Sequence, residues 1–152
     1  MALVGIISDT HGAVPDSVHD AFRGVDFIVH AGDICGRGVI FELESIAPVR
    51  AVVGNCDHID YGTSVRPTLD TSIGGVRIFV SHFPEDAEAA ARSGEYGLAV
   101  HGHTHVPRDE VVGSCRVLNP GSATRPKHGS DAGVMLVRLE GGTVGVVRRV
   151  AL

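Results

Sequence analysis

Five short apolar segments of this sequence each lead directly into residues that can bind a metal ion. The segments cover residues 3–8, 27–29, 49–53, 76–81 and 98–100, and their aliphatic, β-branched composition is typical of short buried strands. In an open α/β sheet, ligands bind at the carboxyl ends of the strands. We therefore predict that these five strand ends come together and form one site.

The residues that follow these segments share one property, which is an oxygen or imidazole nitrogen able to coordinate a metal. In chain order they are Asp9, His11, Asp33, Asn55, His82, His103 and His105. Carboxylate, imidazole and amide donors without a thiolate suit a first-row divalent ion. Seven ligands are too many for a single tetrahedral zinc ion. The set therefore predicts two ions that share one carboxylate.

The motifs formed by these residues resemble those of the calcineurin-like metallophosphoesterase superfamily. They are Asp-x-His at 9–11, Gly-Asp at 32–33, Gly-Asn-Cys-Asp at 54–57, a single His82 and Gly-His-x-His at 102–105. The Gly-Asn-Cys-Asp variant, together with a later Asn-Pro-Gly-Ser sequence, is similar to the small single-domain phosphodiesterases of bacteria and archaea. The resemblance covers most of the chain.

The resemblance implies an α/β fold, a two-sheet sandwich of mixed β-sheets flanked by helices, with residues 1–152 as a single domain. It assigns Asp9, His11, Asp33 and His105 to one metal ion, and Asp33, Asn55, His82 and His103 to the other, with Asp33 bridging. We expect two manganese ions, with iron, nickel and zinc as chemically suitable alternatives. The implied reaction is hydrolysis of a small phosphodiester substrate by a hydroxide that bridges the two ions and is activated by both.

Four further positions bear on catalysis and leave alternatives open. Cys56 stands where many superfamily phosphatases carry a histidine that protonates the leaving group, and a thiol is a poorer proton donor at neutral pH. His58 is either a substitute acid or a surface residue, and Arg125 either contacts a phosphate oxygen or lies in solvent. His82 is either a ligand or a buried structural histidine, because Phe83 replaces a glycine that is common in relatives.

The remaining pattern predicts the helices and hairpins. Apolar residues spaced as one helical stripe over 14–22 and over 40–47 predict two helices between the first three strands, and this alternation implies parallel strands. Gly-Gly pairs at 74–75 and 141–142 predict β-hairpins. Proline followed by acidic residues at 84–86 predicts the start of a third helix. We expect a parallel half followed by an antiparallel half.

Composition and charge narrow the choice of partners and location. A net charge of −5 argues against stable nucleic-acid binding through a basic surface. We find no apolar run long enough to span a bilayer and no signal segment, so we expect no membrane association. Three irregularly spaced cysteines form no disulfide framework, which favours the reducing cytoplasm. The sequence is also compatible with assembly into a homo-oligomer.

Two other functions are compatible with the same resemblance. A phosphomonoesterase or nucleotide phosphatase would use the same metal ligands. A protein-binding scaffold similar to the small subunit of the eukaryotic retromer coat would share the fold, but that subunit's site has lost ligands. Every expected ligand is present in this sequence. The residues therefore favour a phosphodiesterase.

Overall fold

The structure is a computed structural model that describes residues 1–152. It contains eleven strands, numbered in chain order: β1 (Ala2–Ile7), β2 (Phe27–His30), β3 (Val49–Val52), β4 (Val65–Arg66), β5 (Thr68–Ile73), β6 (Val76–Ser81), β7 (Leu98–Val100), β8 (Arg108–Val112), β9 (Cys115–Asn119), β10 (Gly133–Glu140) and β11 (Thr143–Ala151). The α-helices are α1 (Ser17–Ala21), α2 (Arg37–Glu44) and α3 (Pro84–Arg92), and a 3-10 turn covers Gly62–Ser64. None of these helices is both long and apolar enough to cross a membrane.

The strands form two mixed sheets, as predicted. The first has the order β11-β10-β1-β2-β3-β4. In it β1 to β4 are parallel to one another, β10 is antiparallel to β1, and β11 is antiparallel to β10. The second has the order β5-β6-β7-β9-β8. The expected antiparallel pairing holds in this sheet for β5 with β6 and for β8 with β9. It is wrong for the central strands, because β6, β7 and β9 are mutually parallel. The reason is α3, which carries the chain back from the end of β6 to the start of β7 as a crossover helix.

Three apolar clusters hold the sheets and helices together. The largest lies between the two sheets and includes Ile6 and Val29 from the first sheet with Val80 from the second. A second cluster packs α1 and α2 on the outer face of the first sheet, and a third packs α3 on the second sheet. The helices therefore flank the sandwich on both sides, as the predicted fold requires.

The first two helices are shorter than their apolar stripes predict. The helix α1 begins at Ser17 rather than at Val14, because a residue that precedes proline is disfavoured in helical backbone, and residue 15 is Pro15. Likewise α2 ends at Glu44, and Ala47, which precedes a proline, lies beyond the helix but remains buried in the same cluster. An apolar stripe therefore predicts which side chains are buried, but it does not predict the residues at which the helix begins and ends.

Candidate metal centre

All seven predicted ligands lie in the loops that follow parallel strands. Asp9 and His11 follow β1, Asp33 follows β2 and Asn55 follows β3, three strands that are neighbours in the first sheet. The three remaining histidines follow β6 and β7, which are neighbours in the second sheet. The two sheets present these carboxyl ends to one cleft of about 310 Å³. Five of the predicted ligands line it, together with Cys56, Arg125 and Lys127.

The first group of ligands consists of Asp9, His11, Asp33 and His105. One donor atom from each of these residues lies within 4.8 Å of all the others. Nε2 of His105 is 3.3 Å from Nε2 of His11 and 3.2 Å from Oδ1 of Asp9. Two donors bound to one ion at about 2.1 Å are about 3.0–3.5 Å apart, so these separations are those of neighbouring ligands.

The second group forms around the amide oxygen of Asn55. Oδ1 of Asn55 is 3.0 Å from Nε2 of His82 and 3.1 Å from Nδ1 of His103. Nε2 of His82 is in turn 3.5 Å from Oδ2 of Asp33, and the same carboxylate oxygen is 3.7 Å from Nε2 of His11. Asp33 therefore lies between the two groups.

Hydrogen bonds outside the cleft fix the tautomers of two of these histidines. Nδ1 of His82 donates to the carbonyl oxygen of Ala31 at 2.8 Å, and Nδ1 of His105 donates to that of Arg125 at 2.7 Å. In the neutral rings, Nε2 therefore carries a lone pair that faces the carboxylate and amide oxygens of the cleft. Such facing lone pairs repel each other unless a cation lies between them.

One carboxylate oxygen in the cluster is buried without a hydrogen-bond partner. Asp9 is fully buried, and its Oδ2 accepts hydrogen bonds from Oγ of Ser8 at 2.6 Å and from the amide N–H of His103 at 3.2 Å. Its Oδ1 has no partner. An unpaired buried carboxylate oxygen is unfavourable unless a cation satisfies it. This oxygen and the histidine lone pairs together fit a divalent metal ion.

Burial keeps the nearby imidazole and thiol groups uncharged. Desolvation lowers the pKa of His11 despite the opposing charge of Asp33, which favours the neutral ring that binds metals. Desolvation also raises the pKa of Cys35 to about 11 and raises that of Cys56, with Asp33 contributing to both. The cysteines are therefore thiols at neutral pH, and the donor set is one of oxygen and nitrogen.

Asp57 holds the loops after β2 and β3 together, which is the conformational role that its place at the end of the Gly-Asn-Cys-Asp motif indicates. Its carboxylate accepts the amide N–H groups of Ile34 at 3.0 Å, Cys35 at 2.8 Å and Gly54 at 2.7 Å, and the hydroxyl of Tyr61 at 3.0 Å. Burial alone would raise the pKa of Asp57, but these hydrogen bonds outweigh it and lower the pKa. The signal in the sequence is the acid that ends the Gly-Asn-Cys-Asp motif.

His30 ties the loop after β1 to the loop after β2. Its Nδ1 accepts the amide N–H of Gly32 at 3.1 Å, so Nε2 carries the proton and donates to Oγ1 of Thr10 at 3.0 Å. That hydroxyl donates in turn to the carbonyl oxygen of Ile34 at 3.1 Å. The chain of hydrogen bonds fixes the loops that carry Asp9 and Asp33 relative to each other.

The Asn-Pro-Gly-Ser sequence, which begins at the last residue of β9, supports the loops after β1 and β7. Nδ2 of Asn119 donates to the carbonyl oxygen of Gly102 at 3.2 Å and to Oγ1 of Thr104 at 2.9 Å, on either side of His103. Oγ of Ser122 donates to the carbonyl oxygen of Asp9 at 2.7 Å. The motif thus orients the ligands through their backbone.

The four open positions fall in different places. Cys56 lines the cleft, and its amide N–H donates to Oδ1 of Asp33 at 2.9 Å. His58 is exposed and does not line the cleft, whereas the exposed Arg125 does. His82 is fully buried and faces the ligands, with the ring of Phe83 packed edge-on at a centroid distance of 5.2 Å. Phe83 therefore does not displace this histidine from the cluster.

Comparisons with known proteins agree with this arrangement. The profile of the calcineurin-like phosphoesterase superfamily domain matches residues 2–142. A probable metallophosphoesterase from Methanothermobacter thermautotrophicus is 37% identical over 151 residues, covering 91% of this chain and 87% of that protein. The solved structure of an archaeal phosphodiesterase superposes with a TM-score of 0.81 at 26% identity, covering 99% of each chain.

A protein with a different name shares the fold as well. Vps29 from Entamoeba histolytica, solved in complex with zinc, superposes with a TM-score of 0.75 at 25% identity and covers 98% of each chain. The predicted two-sheet fold and the predicted family are both confirmed by these matches. The chain therefore belongs to the calcineurin-like phosphoesterase superfamily and is a metal-binding hydrolase of that family.

Proposed function

We propose that this protein hydrolyses phosphodiester bonds with two divalent metal ions held in the cleft. The observation that carries the proposal is the convergence of seven donor side chains from two sheets. Four of them have donor atoms within 4.8 Å of one another, and the buried Oδ1 of Asp9 among these lacks a hydrogen-bond partner. A coordinating role explains both features, whereas a purely structural cluster would leave this oxygen unsatisfied.

The two groups of ligands would each hold one ion. Asp9, His11 and His105 would bind the first, and Asn55, His82 and His103 the second. Asp33 would bind both, since its Oδ2 faces a histidine of each group. Nitrogen and oxygen donors without thiolate support manganese as the ion, with iron, nickel and zinc as alternatives.

The ions, when bound, would lower the pKa of the attacking water and offset negative charge on the phosphoryl oxygens. The chain's own residues position these ions and the substrate. Asn55 and Asp33 would contribute to catalysis through the ions that they hold, and Arg125 lines the cleft as a cation able to contact a phosphate oxygen. Cys56 also lines the cleft, where its thiol is a poorer proton donor than an imidazole would be.

A small phosphodiester is the substrate that these features support. The cleft is open and is lined mostly by polar and charged residues, and the archaeal phosphodiesterase has the same fold at 26% identity. The net charge of −5 does not favour a nucleic acid held through a basic surface. The three cysteines are free, which supports a reducing compartment such as the cytoplasm.

A protein-binding scaffold is the second candidate, because Vps29 shares the fold over 98% of its length. A scaffold does not need a complete donor set around an unpaired carboxylate oxygen, and this chain keeps one. We therefore place hydrolysis first.

The test is hydrolysis of bis(4-nitrophenyl) phosphate by the protein loaded with manganese. We expect turnover that a chelator abolishes and added manganese restores, with two ions per chain by elemental analysis.

Asp33→Asn should lower kcat/KM by about 100-fold or more, and by more than His105→Ala, because the loss of the shared carboxylate leaves two cations repelling each other. Full activity with one ion or none would contradict the two-metal mechanism. A protein without activity on any phosphoester, which binds a protein partner even as Asp9→Ala, would favour the scaffold.

A further inference from the structure

Two basic side chains lie at the mouth of the cleft without an acidic partner. Arg125 and Lys127 both line the cleft and are both exposed. Outside the cleft, Arg77, Arg108 and Arg116 are each paired with an acidic side chain within 3.2 Å. Arg148 on β11 is exposed and unpaired, but it lies far from the candidate ligands in sequence and does not line the cleft. Cations that remain unpaired beside a catalytic cleft are available to bind an anion.

The backbone of this segment is attached to the metal ligand His105. The carbonyl oxygen of Arg125 accepts Nδ1–H of His105 at 2.7 Å, and the amide N–H of Lys127 donates to the carbonyl oxygen of His105 at 3.3 Å. The carbonyl oxygen of Lys127 accepts the amide N–H and the hydroxyl of Ser130 at 3.1 and 2.7 Å. Both side chains therefore start from positions that are fixed relative to the metal cluster.

The number of positive charges exceeds what a simple diester needs. A phosphodiester carries one negative charge, which the metal ions already offset. Asp33 is the only carboxylate that lines the cleft, and it would bind those ions. Arg125 and Lys127 add two positive charges on one rim, with Pro126 restricting the backbone between them. This excess favours a substrate with an anionic group in addition to the scissile phosphate.

We propose that Arg125 and Lys127 form an anion subsite next to the metal centre. Its ligand is a second phosphate group of the substrate, so that phosphodiesters carrying an additional phosphate are preferred over plain diesters. The inference rests on the proposed phosphodiesterase function, specifies its substrate class and assigns the phosphate contact of Arg125 to the second phosphate group. Guanidinium binds phosphate in a bidentate manner and ammonium binds it as a point charge, so the two residues contribute differently.

The test compares two substrates that share the same leaving group. Thymidine 5'-(4-nitrophenyl phosphate) carries only the diester, and its 3'-phosphorylated form carries the additional phosphate. We expect kcat/KM of the native enzyme to be about three- to tenfold higher for the 3'-phosphorylated form, the size typical of one or two partly exposed charge pairs. The preference should decline as salt is added, because exposed charges are screened.

Substitutions assign the preference to these side chains. Arg125→Ala and Lys127→Ala should each reduce the ratio of the two kcat/KM values, and Lys127→Glu should bring it to one or below. The matched control is Arg148→Ala, an exposed arginine that lies on β11 outside the cleft, which should leave the ratio unchanged. A preference that persists in all three variants of residues 125 and 127 would overturn the assignment.

A binding measurement separates this inference from the proposed function. In chelator-treated protein, calorimetry with thymidine 3',5'-bisphosphate and thymidine 5'-monophosphate should show tighter binding of the bisphosphate, and Lys127→Glu should remove the difference. Cleavage of both diesters at equal kcat/KM would refute the subsite and leave the phosphodiesterase intact. If neither diester is cleaved, the proposed function fails, and the calorimetric difference alone decides whether the subsite exists.

Discussion

Five of the seven candidate ligand residues have a left-handed backbone conformation that residues other than glycine rarely adopt. Their φ angles lie between 47° and 73°, and the residues are Asp9, His11, Asp33, His103 and His105. Each such residue costs on the order of 1–3 kcal/mol, although Asp and His are among the types that tolerate the conformation best. The surrounding hydrogen bonds must offset this cost. Strain concentrated on the donor residues is what a site selected for coordination would retain.

A further point at the scale of single residues is which side chain could protonate the leaving group of the substrate. The thiol of Cys56 is a poorer proton donor than an imidazole and His58 does not line the cleft, so neither residue supplies an imidazole that could protonate the departing oxygen. We predict that the rate depends steeply on leaving-group pKa, with aryl diesters cleaved readily and alkyl diesters slowly. A general acid contributes about 100- to 10,000-fold, so the gap is measurable in a series of substituted aryl diesters.

Two variants check this prediction. Cys56→His should flatten the dependence, provided that the imidazole reaches the leaving oxygen. His58→Ala should leave the slope of the native enzyme unchanged. A markedly steeper slope in His58→Ala would show that His58 already acts as the acid and that the prediction from Cys56 is wrong.

At the scale of the elements, the loops after β1 and β7 approach each other more closely than side chains allow. A Cβ atom on Gly102 would lie 2.6 Å from Oδ2 of Asp9 and would also collide with Oγ of Ser8. The same constraint holds between the loops after β3 and β2, since a Cβ on Gly54 would collide with Asp33. Glycine at these two positions is therefore needed for ligands from different strands to meet.

We predict that Gly102→Ala separates the loops after β1 and β7 and weakens metal binding. Overpacking of this kind costs about 1–3 kcal/mol of stability. Displacing the residues that orient the metal ligands lowers the affinity for the metal by about 10- to 100-fold. Manganese titration followed by calorimetry measures the affinity. The control is Gly38→Ala within α2, where a Cβ meets no atom within 4 Å and alanine should stabilise the helix. Equal metal affinity in both variants would refute the role given to Gly102.

The strands and their loops also show which features of the fold and of the candidate site could be predicted from the sequence. The convergence of the seven donor side chains was predictable because each follows a short apolar strand, and the carboxyl ends of parallel strands meet. The contacts of Asn119 were not predictable, since its partners are the carbonyl oxygen of Gly102 and the hydroxyl of Thr104, about fifteen residues away. The same holds for the contacts that Asp57 makes with the amide N–H groups of Ile34 and Cys35, more than twenty residues away. The parallel pairing of β7 with β9 was missed for the same reason, because β8 intervenes and only the folded sheet shows which strands are neighbours.

At the scale of the whole molecule, the cleft lies where two sheets and their flanking helices meet, and polar groups are buried deeply there. His30 is fully buried, and desolvation lowers its pKa to about 3. Asp57 and Asp33 oppose this shift, whereas His82 and His11 add to it. A histidine that stays neutral in the folded state makes the stability of the entire fold depend on pH.

The direction of that dependence follows from proton binding. Between about pH 6.5 and pH 3, the unfolded chain binds a proton at His30 that the folded chain does not, so stability is full above about pH 6.5 and is lost as the pH falls. In chelator, we predict that His30→Asn reduces the slope of unfolding free energy against pH by up to about 1.4 kcal/mol per pH unit in this window. Urea unfolding at several pH values measures the slope.

The baseline stability of the variant will be lower because asparagine cannot reach both the amide of Gly32 and the hydroxyl of Thr10, as His30 does, but the slope is independent of that loss. His128→Asn, at an exposed position with φ of 54°, is the control and should keep the native slope. An unchanged slope in His30→Asn would mean that His30 takes up a proton without unfolding the loops it joins.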